Sequence, residues 1–114
     1  MQHTDAGIKK LDVHELTKAI TGDWKNFVVG EINDHVVRLS VLQQDFHWHS
    51  HQGSDECFYV VEGNLFVDFD RGTESIGPGQ MITVPKGVRH RTRSETRTVL
   101  LCFENADNDV VGDE

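Results

Sequence analysis

From Asn26 onward the chain breaks into short runs in which β-branched and aromatic residues alternate with polar ones, interrupted by Gly, Asn and Asp. The runs fall at about 26–32, 36–43, 46–51, 56–62, 65–70, 80–84, 89–94 and 97–103, each the length of a strand rather than a helix. Glu62-Gly63-Asn64, Asp70-Arg71-Gly72 and Gly77-Pro78-Gly79 supply turns between them, and Pro85-Lys86-Gly87 falls where a proline removes no ladder bond. The pattern before Asn26 differs. Asp12 followed three residues later by Glu15 reads as a capping box, and Leu11, Leu16 and Ile20 mark a short helical stripe ending near Gly22. The whole predicts an all-β chain: a double-sheet jelly-roll barrel over 26–104, preceded by an arm with a short helix over 1–25 and followed by an acidic tail over 105–114.

The alternation carries chemistry at one place. Side chains two apart in a strand share a face, their Cα atoms about 6.6 Å apart, so His49 and His51 can close on one ion. The turn-like Gln52-Gly53-Ser54-Asp55 lets the chain reverse and return Glu56 beside them, and His90 stands downstream behind Gly79, Pro85 and Gly87. Three imidazoles and a carboxylate suit a divalent transition metal (Mn, Fe, Co, Ni, Cu or Zn), and an octahedral ion with four protein ligands keeps two positions for water or substrate. His47 extends the alternating row, but about 13 Å of strand separates it from His51. It is therefore read as lining the cavity, either as an acid or base or substrate contact, or as a rim histidine. Phe58 and Val60 share the face of Glu56 and form an apolar wall, while Trp48 and Tyr59 point the other way.

The chain of 114 residues has room for one core. Its formal net charge of −8 disfavours nucleic acid, which needs a Lys/Arg excess to neutralise phosphates. No run approaches the roughly 18 apolar residues of a membrane span, and the polar opening lacks a signal-peptide pattern, so a cytoplasmic location is expected. Cys57 and Cys102 are too few for a disulfide framework and read as reduced, buried thiols. Arg89, Arg91 and Arg93 alternate with His90, Thr92 and Ser94 and so face outward, as a solvated or salt-bridging stripe with Arg97 nearby. His3, His14 and His35 have no ligand spacing and read as surface residues. Met81 and Thr83 could line the pocket.

The motif His49-Ser50-His51, four residues, Glu56, six residues, Gly63 resembles the first motif of the cupin superfamily, and Gly79, Pro85, Gly87 and His90 resemble the second. Gln43 stands where the family's leading glycine would be, and Ser94 where it usually has Asn. The resemblance covers about Phe46 to Phe103 and includes small one-domain cupins labelled mannose-6-phosphate-isomerase-like. It implies a jelly roll, metal ligation by His49, His51, Glu56 and His90, and a homodimer. The implied function is a metal-dependent isomerase, lyase or dioxygenase acting on a small polar molecule. The alternative is a noncatalytic, metal-assisted binding or sensing module. The fold hosts many chemistries and does not choose among these.

Overall fold

The computed structural model describes residues 2–3, 7–108 and 112. Two short strands, β1 (Gln2–His3) and β2 (Lys9–Lys10), pair antiparallel ahead of helix α1 (Val13–Thr17). The barrel strands follow: β3 (Trp24–Ile32), β4 (His35–Leu42), β5 (Glu56–Glu62), β6 (Leu65–Phe69), β7 (Gly72–Ile76), β8 (Met81–Val84), β9 (His90–Arg93) and β10 (Thr98–Asn105). They form a five-stranded sheet in the order β3-β4-β10-β5-β8 and a three-stranded sheet in the order β7-β6-β9, all pairs antiparallel. This is the predicted double-sheet, jelly-roll architecture.

The core follows from the alternation. On β5, Glu56, Phe58 and Val60 are buried, as are Leu100 and Cys102 on β10 and Leu65 and Val67 on β6. All of these except Glu56 join Leu42, Ile76 and Val84 in the cluster between the sheets. The outer face of the larger sheet buries Leu39, Val41 and Val99, covered by Val13 and Ile20 from α1 and the segment after it. The helix begins as predicted, with the Glu15 amide donating to Asp12 Oδ1 at 3.0 Å. Its buried face is different. Leu16 is exposed whereas Thr17 is fully buried, so the packed stripe runs through Val13, Thr17 and Ile20. The Arg97 guanidinium donates to Thr17 O and fixes this end of α1 to the barrel.

Two strand boundaries depart from the sequence pattern. The run 46–51 is not a ladder strand. Its backbone, with Asp45 just before it, meets β9 of the smaller sheet through isolated bridges, Asp45 to Arg93 and His49 to His90. The polar segment Gly72–Ile76 does pair, on β6, although four of its five residues are exposed and offer no alternation. On β8, Met81 and Thr83 face solvent while Val84 is buried, so the former two do not line the interior.

The family glycine with the clearest structural reason is Gly63, between β5 and β6. Its φ is +88°, and a Cβ there would run into Arg97 O and lie 2.7 Å from Thr98 Cα. Gln43, where the leading glycine is missing, is not among the positive-φ residues, so a side chain costs nothing there.

Candidate metal centre

Four buried side chains meet at one end of the barrel. Glu56 opens β5, His90 opens β9, and His49 and His51 come from the extended segment between β4 and β5. His49 and His90 are locked to each other through the backbone: His49 N donates to His90 O at 2.9 Å and His90 N to His49 O at 2.8 Å. His51 is held from the second motif, its carbonyl accepting from Gly87 N at 2.7 Å. Gly87 has a φ of +82°, and this left-handed turn aims its amide at that carbonyl. Lys86 N donates to Asp55 Oδ1 at 2.9 Å, tying the same turn to the residue before Glu56.

One ligand atom from each of His49, His51, Glu56 and His90 lies within 4.8 Å of the others. The backbone sets the tautomers. His49 Nδ1 lies 2.8 Å from His47 O and His90 Nδ1 lies 2.9 Å from Val88 O. A carbonyl only accepts, so each Nδ1 carries the hydrogen and each Nε2 is left as a bare lone pair, the form that ligates metal. Glu56 Oε1 is 3.2 Å from both His51 Nε2 and His90 Nε2. Yet Glu56 Oε1 and His90 Nε2 are buried without a hydrogen-bond partner. Buried polar atoms are rarely left so, because each costs about 1–3 kcal/mol. These groups converge within a few ångströms, a spacing from which they could hold a divalent ion.

The electrostatics agree. Burial pushes the His49 imidazole down to about 4, against the opposing pull of the His47 carbonyl, so it is neutral and able to ligate at pH 7. Burial pushes the Glu56 carboxyl up, and a proton on the His51 and His90 rings beside it would pull it down to about 2; with the ring nitrogen bare, a bound cation would take over that role. Among the sequence-predicted residues, His47 contributes its carbonyl to His49, and its ring centroid lies 5.2 Å from that of His49 and 4.2 Å from that of Phe46. Ser94 bonds to Asn64 O at 3.1 Å and lies 2.6 Å from Thr98 Oγ1, tying the end of β9 to the start of β10. Gly112, with φ +72°, comes against the centre: a Cβ there would meet His49 Cδ2 at 2.6 Å and His51 Cε1 at 3.0 Å.

Beside the ligands lies a cavity of about 60 Å³, walled by apolar residues such as Phe46, Phe58 and Leu100. Its polar lining includes Asn26, Ser40, Thr92, Cys102 and Glu104; the sequence reading took Cys102 as a buried thiol and Thr92 as sharing the face of His90, and placed none of the five at the site. Cys102 Sγ is 3.9 Å from Glu56 Oε2 and 3.2 Å from Glu104 Oε1. Burial, reinforced by the neighbouring Glu56 and Glu104, pushes this thiol well up and keeps it protonated. The signal for these residues was present in the alternation of β10, where Cys102 and Glu104 share a face with Thr98 and Leu100. Their contact with Glu56 depends on the β10–β5 register, in which Cys102 stands opposite Phe58.

The arginine stripe faces outward and is salt-bridged. Arg91 donates from Nε and Nη2 to Asp68 Oδ2, at 3.1 and 3.0 Å, and Arg93 donates to both Asp68 oxygens, at 2.8 and 3.2 Å. Arg89 and Arg91 lie over the Trp48 ring, at 4.6 and 5.3 Å from its centroid. His14 and His35 are exposed, and the side chain of His3 lies outside the described residues. No helix among the described residues is long and apolar enough to cross a membrane.

Comparison with known proteins places this geometry. The cupin domain model matches residues 35–104. The chain is 46% identical over 87 residues to the uncharacterized protein YdbB of Bacillus subtilis (strain 168), covering 75% of this chain and 77% of that protein. It is 44% identical over 46 residues to the polyketide synthase CurC of Streptomyces cyaneus, which covers 40% of this chain but 30% of that protein. Among solved structures, protein NMB1881 from Neisseria meningitidis superposes with a TM-score of 0.76 at 32% identity, over 86% of this chain and all (100%) of that one. A cupin-2 domain containing protein from Shewanella frigidimarina superposes with a TM-score of 0.79 at 27% identity, over 83% and 93% of the two chains. The chain belongs to the cupin domain family.

Proposed function

We propose that this protein is a metal-dependent enzyme that holds a small polar molecule on a divalent transition metal carried by His49, His51, Glu56 and His90. The observation that carries the reading is the pair of buried, unpartnered atoms Glu56 Oε1 and His90 Nε2, converging with the other two ligands beside a cavity. A bound divalent ion would act as a Lewis acid toward a hydroxyl, carbonyl or carboxylate oxygen. The chain's own residues do the rest. The His47 and Val88 carbonyls fix the imidazole tautomers, Phe58 and Leu100 restrict water, and Cys102 stands as a protonated donor between Glu56 and Glu104. His47 is proposed as an acid or base at the rim, on the strength of its ring's proximity to His49.

The sugar-phosphate isomerase label gains no support from the site. We further propose a cytoplasmic homodimer. The thiols Cys57 and Cys102 are free, and the nine-residue strand β3 lies at a sheet edge with Trp24, Val28 and Ile32 exposed.

The test is turnover by the metal-loaded protein against small hydroxy acids, hydroxy ketones, thiols and diols, with oxygen uptake recorded in parallel. Product formation that consumes oxygen assigns a dioxygenase, and formation without it assigns an isomerase or lyase. Tight, saturable binding of such compounds with no turnover across the panel would replace the enzymatic reading with a binding module.

A further inference from the structure

We propose that Glu104 makes the cavity selective for ligands whose portion beyond the metal is uncharged and bears a hydroxyl. This describes a compact hydroxy-carbonyl compound rather than a phosphate ester or dianion. The inference rests on the metal-centre reading above and assigns the substrate class of that site.

It begins with the sign of the charge on the cavity wall. Two carboxylates, Glu56 and Glu104, line the cavity, and among the described residues no Lys or Arg does. Glu56 faces the ion position and its charge is taken up there, which leaves Glu104 as the carboxylate a ligand meets. Glu104 is 3% exposed and rigidly held: Oε2 accepts from Asn108 Nδ2 at 2.8 Å and Oε1 from Cys102 Sγ at 3.2 Å. Its ionic partner, Arg38, lies outside the cavity lining with Nε 3.7 Å from Oε2, and that Nε makes no hydrogen bond. The counter-charge is therefore loose: Arg38 shares the inward face of β4 with Ser40 and Leu42 and stands opposite Cys102, but it does not line the cavity. The other nearby arginines are engaged on the outer face, Arg91 and Arg93 by Asp68 and Arg89 by Asp70.

Glu56, Cys102 and Glu104 offer donor atoms within 4.8 Å of one another, so a ligand on the metal has Glu104 close by. A second anionic group would be desolvated against this carboxylate with no cation lining the wall to receive it, the arrangement by which sites reject a competitor. A hydroxyl instead donates to Glu104, and the Asn26–Ser40 pair, 2.7 Å apart, offers further polar contacts. The apolar walls exclude water and strengthen the discrimination.

Dihydroxyacetone and dihydroxyacetone phosphate are a matched pair, with the same hydroxy ketone and one phosphate of difference. Both are titrated into the cobalt-loaded protein while the visible cobalt bands are followed. Dihydroxyacetone is expected to shift the bands at a concentration at least tenfold lower than its phosphate. Glu104→Gln is expected to bind the same amount of cobalt but to reduce that preference to threefold or less by admitting the phosphate. Asn26→Asp, which adds a carboxylate to the same wall, is expected to widen it and serves if Glu104→Gln does not fold. Equal or tighter binding of the phosphate by the wild type would overturn the proposal. So would an unchanged preference in both variants, or no response to dihydroxyacetone. Failure to bind cobalt at all would instead defeat the metal-centre reading.

Discussion

Substituting Glu56→Gln separates the cost of an unoccupied ligand set from the stabilisation that an ion brings. Glu56 is 6% exposed, and its Oε1 finds no hydrogen-bond partner among the protein atoms. Such a group costs about 1–3 kcal/mol, so the near-isosteric amide should leave the metal-free barrel at least as stable as the wild type. The ion acts in the opposite direction. At a free concentration about 1,000 times Kd it stabilises the folded state by about 4 kcal/mol. For a domain of 114 residues each kcal/mol moves Tm by about 3–6 °C, so zinc or manganese should raise the wild-type Tm by about 12–24 °C over the chelated protein. The variant should lose most of that shift while its metal-free Tm stays within a few degrees of the wild type or above it. Differential scanning calorimetry with and without chelator measures both numbers. An undiminished metal-dependent shift in Glu56→Gln would refute the ligand role, and a variant that unfolds without metal would refute the argument about the orphaned carboxylate.

Other outcomes follow from the same structure. Gly63→Ala forces a side chain into a left-handed φ of +88° against Arg97 O and Thr98, and urea titration should show a loss of about 2–4 kcal/mol. His49, held at about 4 by burial, is protonated more readily in the unfolded chain. Its contribution to metal-free stability is therefore present above pH 6.5 and lost as the pH falls toward 4, and His49→Asn should flatten that part of the urea midpoint profile. Asp68 is held below the usual carboxylate range, chiefly by hydrogen bonds from Arg93, with Thr73 and Arg91 adding to them. The stability it contributes is present above about pH 4 and lost at lower pH. Asp68→Asn should lower Tm at pH 7 and loosen β9, read as faster amide exchange at His90 and Thr92.

Much of this architecture was legible because strands advertise themselves by period two. The run 56–62 coincides with β5, and Glu56, Phe58 and Val60 share its buried face as the alternation requires. The candidate ligand set was legible for a different reason: the motif spacing of His49, His51, Glu56 and His90 anticipated the buried cluster they form. The misreadings also have physical causes. His47-Trp48-His49-Ser50-His51 alternates like a strand, yet its polar groups are spent on isolated bridges and imidazole caps, a choice made by the partner at His90 and not by local pattern. Gly72–Ile76 hides because an exposed strand needs no apolar face. The helix stripe shifted to Val13, Thr17 and Ile20 because Thr17 returns its hydroxyl to Val13 O at 2.8 Å and can be buried at little cost. The Cys102–Glu104 wall was invisible because it is assembled by register between strands more than 40 residues apart, with Cys102 opposite both Arg38 and Phe58.

The most direct test of the central claim is the metal content of the untagged protein, measured by plasma mass spectrometry after purification without added metal or chelator. One transition-metal ion per chain, reduced to background in His51→Ala and His90→Ala while circular dichroism shows the barrel intact, is the predicted result. A wild type that binds no ion even after incubation with manganese, iron, cobalt, nickel, copper and zinc would contradict it, as would variants that keep their full complement.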